Sequence, residues 1–334
     1  MLNLMKQKIA KNTFSGYVAD SWEIRALTTD NNWTKLCYGG GRVVGLSSSG
    51  IGGLANRGFT TIDGYTVNAT VFLSATDIQP ISIAYSPSLQ RFCAVGIGGN
   101  RVATSDNGGF LWTNRTASQL NAWRGICWSF FLNRFVAVAE TGTNRVMTSP
   151  DGITWTNRTA PLQGWEEIIS VEELGLLVAV GKTGTGNRVM TSPDGITWTN
   201  RSSTANVTWL GLAWSPKLRL MVAVSQTGEI MSSPDGINWT PRTTPPNVPE
   251  LNSVCWASGL EMFVAVSQTG VTRISTSLDG INWTRRRHPE ASSWRSVVYN
   301  EEKGYLMAVA NGGTNRLMTT GGGLGSGLNL DTIP

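Results

Sequence analysis

Arginine recurs at two fixed positions along this 334-residue sequence. One set precedes a repeated turn and comprises Arg57, Arg101, Arg145, Arg188, Arg273 and Arg316, with Glu229 once in the place of arginine. A second set follows that turn and comprises Arg25, Arg115, Arg158, Arg201, Arg242 and Arg286. The planar guanidinium group donates paired hydrogen bonds to phosphate and carboxylate groups. The two sets therefore predict a basic surface for an anionic partner: lipopolysaccharide phosphate, an acidic glycan, nucleic acid or an acidic protein subunit.

The same recurrence has a purely structural explanation. Because the arginines repeat with the fold, each could stack on a tryptophan, or pair with a carboxylate or carbonyl of the neighbouring repeat. The sequence leaves both explanations open.

Acid–base residues are scarce outside the repeated turn. Of the ten aspartates, only Asp20, Asp30, Asp77 and Asp331 lie away from a turn unit. A retaining glycosidase needs two carboxyl groups about 5 Å apart. The sequence does not exclude that Asp77 or Glu140 forms such a pair with another glutamate. The one histidine, His288, follows three arginines in a predicted loop. A catalytic triad usually needs a histidine base, and most zinc sites need more than one histidine or cysteine, so the sequence argues against both. We therefore expect no catalytic residue, no metal and no cofactor, and predict that the chain is not an enzyme.

The elements that position these residues follow from a repeat. The segment NRVMTSPDGITWTNR occurs at 144–158 and again, letter for letter, 43 residues later at 187–201. Apolar and polar residues alternate on both sides of Ser-Pro-Asp-Gly, which predicts a β-hairpin. With a two-residue turn at Asp151 and Gly152, Arg145 and Arg158 are expected to face each other.

Six turn units share this pattern. Their turn residues are Asp63, Asn107, Asp151, Asp194, Asp235 and Asp279. The units lie about 41 to 45 residues apart, a period typical of propeller blades. The pattern predicts an all-β fold, a seven-bladed β-propeller of four-stranded blades.

The two ends of the repeat predict how the ring closes. Trp22 is the tryptophan of a turn unit whose first half is missing, and the last repeat stops before its own turn. An N-terminal strand should therefore complete the last blade, which removes the open sheet edges. The predicted organisation is an arm at 1–18, the propeller at 19–320 and a glycine-rich tail at 321–334.

Two family resemblances follow from the turn units. SDNGGFLW at 105–112 resembles the Asp-box, Ser-x-Asp-x-Gly-x-Thr-Trp, and SPDGITW resembles a shorter version. The Asp-box family implies a peripheral turn of a propeller, not a catalytic site. A sialidase-like site would also need the Arg-Ile-Pro motif, which the chain lacks. The SPDGxxWT repeats with a non-repeat arm also resemble propeller proteins of tailed-phage virions.

These resemblances and the charge pattern lead to the functional expectation. Both arginine sets should lie on one face of the disc and the turn aspartates on the other. Although the net charge is only +5, we therefore expect one basic face and one acidic face. We expect a phage virion component, in the tail hub, nozzle, fibre or spike, assembled in the bacterial cytoplasm in several copies without membrane insertion. Its arm and tail would contact other virion proteins. The alternatives are a carbohydrate-active propeller, sialidase-like or glycan-binding, and a soluble bacterial scaffold.

Overall fold

The structure, a computed structural model, describes residues 22–27, 31–49, 57–72, 78–244, 248, 250–270 and 273–321. These residues form 28 β-strands in seven four-stranded antiparallel blades arranged in a ring, which confirms the predicted propeller. The predicted arm at 1–18 and all of the tail except Gly321 lie outside the described residues.

Each blade runs from an innermost strand outwards. The innermost strands are β2 Asn32–Gly39, β6 Gln79–Ser86, β10 Trp123–Ser129, β14 Trp165–Val171, β18 Trp209–Ser215, β22 Ser253–Ala257 and β26 Trp294–Asn300. The second strands are β3 Arg42–Ser49, β7 Arg91–Ile97, β11 Arg134–Ala139, β15 Leu176–Gly181, β19 Leu220–Ser225, β23 Met262–Val266 and β27 Tyr305–Ala310. Two 3-10 helices, Glu172–Leu174 and Ser258–Leu260, join the first and second strands of blades four and six.

The repeated hairpin supplies the two outer strands. The third strands are β4 Gly58–Thr61, β8 Arg101–Ser105, β12 Val146–Ser149, β16 Val189–Ser192, β20 Ile230–Ser233, β24 Ile274–Ser277 and β28 Leu317–Thr320. The fourth strands are β5 Asn68–Phe72, β9 Leu111–Thr116, β13 Thr156–Arg158, β17 Thr199–Arg201, β21 Thr240–Arg242, β25 Thr284–Arg286 and, in the last blade, β1 Trp22–Arg25.

The core lies between adjacent blades. One apolar cluster joins Val136 of blade three to Trp165 and Met190 of blade four, and equivalent clusters lie between other neighbouring blades. The tryptophans that open innermost strands are almost completely buried: Trp33, Trp123, Trp165, Trp209 and Trp294. Because each blade buries both of its faces, the second strands are nearly continuous apolar runs such as RFVAVA at 134–139. Among the described residues, no helix is long and apolar enough to cross a membrane.

The ring closes as predicted. β1 pairs antiparallel with β28, with Trp22 opposite Thr320 and Arg25 opposite Leu317. Trp22 packs in the cluster that also holds Trp294 and Ile274, so the closing strand is anchored by apolar burial as well as by its ladder. The last blade is thereby built from both ends of the chain.

The hairpin turn differs from the predicted two-residue turn. Arg158 pairs with Val146 rather than with Arg145, and the last pair before the turn is Thr148 with Thr156. The predicted Arg145–Arg158 pairing is therefore wrong. The reason is that side-chain hydrogen bonds stabilise a longer turn. Counting residues outwards from an assumed two-residue turn does not take these bonds into account.

Side-chain acceptors hold this longer turn together. Asp151 Oδ1 accepts the backbone N–H of Ile153 and of Thr154, both at 2.8 Å, and the Ser149 hydroxyl at 2.9 Å. The Ser149 hydroxyl in turn accepts the N–H of Gly152, whose φ of +73° suits glycine. The same arrangement recurs at Asp194, Asp235 and Asp279. In blade two Asn107 Oδ1 accepts the N–H of Leu111 at 3.0 Å.

Blades one and two are joined at their outer edges. β5 pairs in parallel with β9, with Val71 opposite Leu111 and Phe72 opposite Trp112, so these two blades form one eight-stranded sheet. The repeat pattern gave no indication of this pairing.

The strand directions give the disc two different faces. The turn face carries the loops between first and second strands and the hairpin turns, and the arginine face carries the remaining loops. On the described turn face eleven carboxylates oppose six basic side chains, a net charge of −5. The carboxylates are Asp63, Asp106, Asp151, Asp194, Asp235, Asp279, Glu172, Glu173, Glu261, Glu301 and Glu302, and the basic residues are Arg42, Arg91, Arg134, Lys217, Arg219 and Lys303. Both arginine sets lie at the opposite ends of their strands.

We predict that Trp22→Ala destabilises the whole ring. Trp22 is 6 % exposed, and truncation of a buried tryptophan costs about 3 to 5 kcal/mol. Chemical denaturation should show the loss in the free energy of unfolding. The matched control is Glu23→Ala in the same strand, since Glu23 is exposed and its ion pair with Arg25 lies at the surface. Equal stability of the two variants would contradict the closing role of β1.

A second prediction concerns the turns. Burial opposes ionisation of Asp235, but hydrogen bonds from Asn238, Ile237 and Ser233 lower its pKa to about 2. The folded state thus favours the carboxylate, and wild type should be more stable than Asp235→Asn at neutral pH. This advantage should disappear as the pH falls from about 4, the pKa of an unfolded aspartate, towards 2. Denaturation at several pH values measures it, and a difference that does not change with pH would contradict the prediction.

Candidate ligand-binding channel

The innermost strands of all seven blades surround a central channel. The channel contains a cavity of about 940 Å³, which we call the cup. The cup extends from Lys35 and Glu167 to Gly40, Gln90 and Phe130, the last of which is 59 % exposed. Since Gly40, Gln90 and Phe130 lie on the turn face, the cup opens there.

An ion pair closes the inner end of the cup. Lys35 of blade one reaches Glu167 of blade four across the channel axis, and the Glu167 side chain is only 9 % exposed. Two charges removed from water in this way hold each other in place, because either alone would be costly. Along the innermost strands the pair lies between the cup and the channel mouth on the arginine face.

A second charged group lies at that other mouth. Glu140 accepts hydrogen bonds from Arg124, with 2.7 Å from Nε to Oε2, and forms an ion pair with Lys182. Lys182 Nζ also lies 3.5 Å from Glu166 Oε1. Arg295 donates to Asn252 Oδ1 at 3.1 Å on the far side of the channel.

The two glutamates of this group ionise differently. Burial raises the pKa of Glu166 above its usual value. Burial alone would also raise the pKa of Glu140, but the bonds from Lys182 and Arg124 outweigh it and hold that pKa below its usual value. Two carboxyl groups with opposite shifts can supply a proton donor and a proton acceptor.

Aromatic side chains surround the open end. Six of the seven innermost strands carry an aromatic residue near their last position, and blade four has Ser170 there. The aromatic residues are Tyr38, Tyr85, Trp128, Trp214, Trp256 and Tyr299. Tyr38, Tyr85 and Trp128 line the cup together with the carboxylate of Glu301. This is a concave, mainly apolar surface with few polar groups, as is usual for ligand sites.

Burial disfavours the reactive form of the cysteines of the cup. All four cysteines are free thiols, and Cys37 and Cys127 line the cup. Burial raises the pKa of Cys37 to about 12 and that of Cys127 well above its ordinary value. The thiolate, which is the reactive form, is therefore strongly disfavoured.

The first arginine set bonds to backbone carbonyls. Arg57 donates to Ile78 O at 3.0 Å and Arg101 to Asn121 O at 2.6 Å, each at the start of the next blade. Arg188 donates to Lys182 O and Gly184 O within its own loop. Similar bonds are made by Arg145, Arg273 and Arg316. These arginines connect loops and neighbouring blades, which is the structural explanation left open above.

The second set is held by strand hydroxyls. Nε of Arg158 donates to Thr148 Oγ1 at 3.0 Å, and Nε of Arg201 donates to Thr191 Oγ1 at 3.0 Å. The same bond recurs at Arg115, Arg242 and Arg286. The side chains are half-buried on the outer strands, so neither arginine set converges on the channel. His288 also lies outside the cup, with Nδ1 2.9 Å from Glu290 O.

Sequence reasoning found the repeated residues and missed the channel residues. Lys35, Arg124, Glu166, Glu167 and Arg295 come one or two places after the tryptophan that opens an innermost strand. At these two places otherwise similar repeats carry unrelated side chains. This departure from the repeat is the sequence feature that could have identified the channel residues. Within the described part of the chain, no group of three or more His, Cys, Asp or Glu side chains could hold a metal ion.

Comparisons with known proteins identify the fold. No protein-family model matches the sequence, and no curated protein matches it significantly. A streptogramin B lyase structure matches with TM-score 0.74 at 12% identity, over 89% of this chain and 96% of that one. Virginiamycin B lyase from Staphylococcus aureus matches with TM-score 0.72 at 13% identity, over 90% and 99%. YCF48 bound to D1 peptide matches with TM-score 0.65 at 15% identity, over 90% and 96%. These likenesses show the fold alone.

The comparisons correct one prediction. We predicted that the chain is not an enzyme, because a sialidase-like site was missing and the histidine lay in a loop. Structures with this same ring include a lyase, so the missing sialidase site does not exclude catalysis, and the prediction is wrong. Other chemistry can be placed on a propeller, because function depends on the site and not on the fold.

We predict that Lys35→Met destabilises the protein by about 3 to 5 kcal/mol, because it leaves Glu167 buried without its partner. Replacing both residues, in Lys35→Met with Glu167→Leu, should recover most of the loss. Thermal and chemical denaturation measure both variants. Lys217→Met is the matched control, since its ion pair with Glu261 is exposed and should contribute less than about 1 kcal/mol. A double variant as unstable as the single one would contradict the ion-pair explanation.

Proposed function

We propose that the chain is a recognition component of a tailed-phage virion, in the tail hub, nozzle, fibre or spike, and that the cup holds its ligand. The observation that supports this most is the cup itself, a cavity of about 940 Å³ that is open on one face and has the Lys35–Glu167 ion pair at its inner end. The resemblance of the SPDGxxWT repeats to virion propellers supports the setting.

The chemistry of the cup favours a ligand from the host surface. Tyr38 and Tyr85, which are half-buried at the cup, offer flat apolar area on which a sugar ring or an extended chain can pack. Gln90, Ser170 and Glu301 supply a few hydrogen-bonding groups that would orient it. In this proposal the protein is present in several copies, and segments 1–18 and 321–334 contact other virion proteins.

A second candidate function is a carbohydrate-active propeller. It is favoured by Glu140 and Glu166, whose pKa values shift in opposite directions and which share Lys182 at the arginine-face mouth. One carboxylic acid and one carboxylate are what glycoside cleavage uses.

Binding of the purified protein to intact bacterial cells and to extracted surface polysaccharide tests the first proposal. Phe130→Ala should weaken binding about tenfold, because loss of an exposed aromatic contact costs roughly 1.4 kcal/mol or more. Leu120→Ala is the matched control, since Leu120 is 72 % exposed and lies outside the cup. Equal affinity of the two variants would remove the cup from the proposal, and absence of binding would remove the host-surface ligand.

Release of reducing sugar ends, followed in the same tubes, tests the second candidate. Release that is abolished by Glu166→Gln would support it. Phe131→Ala is the control and should retain release, since Phe131 is exposed in a turn-face loop away from Glu166. Release that survives Glu166→Gln would exclude this carboxylate as the proton donor.

A further inference from the structure

The hairpin turn of blade two is one residue longer than that of blade three, SDNGGFLW against SPDGITW. In blade three the turn serine accepts the N–H of Gly152, the residue directly after the aspartate. In blade two Ser105 accepts the N–H of Gly109 instead, at 3.0 Å. Gly108 directly follows Asn107, and within the described residues its N–H has no hydrogen-bond partner. The longer turn therefore leaves an unpaired backbone nitrogen next to the side chain of Asn107.

The side-chain amide of Asn107 is held in a way that favours attack on its carbon. Oδ1 accepts the N–H of Leu111 at 3.0 Å and the Ser105 hydroxyl at 2.9 Å. Two donors on this oxygen polarise the Cγ–Oδ1 bond and stabilise negative charge that develops on Oδ1. Asn107 is also exposed, so water reaches the amide.

A guanidinium group lies against the same turn. Arg42 of blade one is so close that a Cβ on Gly108 would lie 2.7 Å from its Cζ. The Arg42 Cζ also lies 5.4 Å from the centroid of the Phe110 ring, and within the described residues Arg42 has no carboxylate partner. A positive charge in this place favours the anionic form of a neighbouring group, including the deprotonated amide of Gly108.

The next pair of blades has a carboxylate at the equivalent place. Arg91 begins the second strand of blade two, as Arg42 begins that of blade one. Nη1 of Arg91 donates to the backbone oxygen of Asp151, in the turn of blade three, at 2.6 Å. The hydrogen bond to Asp106 raises the pKa of Arg91 above its usual value, and the Asp151 carboxylate adds to this effect. Asn107 occupies the place of Asp151, so Arg42 lies beside a neutral amide where Arg91 lies beside a carboxylate.

We propose that Asn107–Gly108 is a self-modifying site, at which Asn107 becomes aspartate in the folded protein and forms an ion pair with Arg42. Hydroxide removes the proton of the Gly108 N–H, and the nitrogen attacks Cγ of Asn107 to close a five-membered succinimide ring. The Cγ–Nδ2 bond breaks, and the Nδ2 group takes a proton from water and leaves as ammonia. Water then attacks Cγ, the N–Cγ bond breaks, and a side-chain carboxylate remains. The net reaction consumes one water and releases one ammonia.

The two donors on Oδ1 also direct the second step. Water can open the ring at Cγ, which gives aspartate, or at the backbone carbonyl, which gives isoaspartate. Because Leu111 and Ser105 polarise the Cγ carbonyl, opening at Cγ is favoured and the main chain keeps its normal path. The reaction changes the net charge of the described turn face from −5 to −6, next to the parallel pairing of β5 with β9. It does not depend on the ligand of the cup.

Peptide mass spectrometry of the full chain, incubated under mildly alkaline conditions, measures the conversion. Asn311–Gly312 is the internal control, since it is the other Asn-Gly pair of the sequence and only Ser293 lies within 4 Å of a Cβ placed on Gly312. We expect Asn107 to react about tenfold faster than Asn311 in the folded protein, and both to react at similar rates in guanidinium chloride. A folded-state rate at Asn107 no higher than that at Asn311 would overturn the proposal.

Arg42→Met tests the guanidinium group and should slow the reaction at Asn107 several-fold. Arg134→Met is the matched control, because Arg134 begins the second strand of blade three and donates to Leu132 O in its own loop. Equal rates in the two variants would remove Arg42 from the proposal.

The variant Asn107→Asp carries the product and tests the ion pair. It should melt at a higher temperature than freshly prepared wild type, and Arg42→Met should abolish this gain. A gain that persists without Arg42, or no gain at all, would overturn the ion pair. The folded wild type should also give a larger share of aspartate over isoaspartate than the denatured chain, and an equal or smaller share would overturn the role of the Oδ1 donors.

Discussion

The four-residue pairing of β1 with β28 is the interaction on which the rest of the molecule depends. Every other blade is made from consecutive strands, and its neighbours cover both of its faces. Without β1 the last blade would expose an unpaired edge and the apolar surface that Trp22 covers. A ring has no terminal repeat that could be capped with polar residues, so closure must come from the chain's own ends. Those ends consequently lie together on one face.

The closed ring divides its residues into two classes. Residues that repeat with the blades serve the scaffold: the turn aspartates bind backbone N–H groups, and the first arginine set binds backbone carbonyls. Residues that differ from blade to blade lie around the channel axis. The seven innermost strands meet there, and a charge on one strand pairs with a charge on a different strand. In a pseudo-symmetric ring, the positions at which the blades differ select one orientation of an asymmetric ligand. The channel charges and Ser170 are such places.

Much of the architecture could be predicted from the sequence because the period is strong. Trp22, as half of a turn unit, was sufficient to predict how the ring closes. The turn geometry could not be read from strand alternation, since the hydrogen bonds of Asp151 and Ser149 lengthen the turn and shift the register by one residue. The parallel contact of Val71 with Leu111 depends on how blades one and two meet in space. The pairing of Lys35 with Glu167 links residues 132 positions apart and becomes visible only when the ring is closed.

The near-identity of blades three and four gives the ion pair across the channel a further consequence. Segments 144–158 and 187–201 are interchangeable in sequence, so a folding chain could place one where the other belongs. The innermost strands are not interchangeable, because blade four supplies Glu167 where blade three has Gly125. A ring assembled one repeat out of order would leave the Lys35 ammonium group facing a glycine across the axis. The Lys35–Glu167 ion pair is therefore specific to blade four, although the outer hairpins of blades three and four are identical.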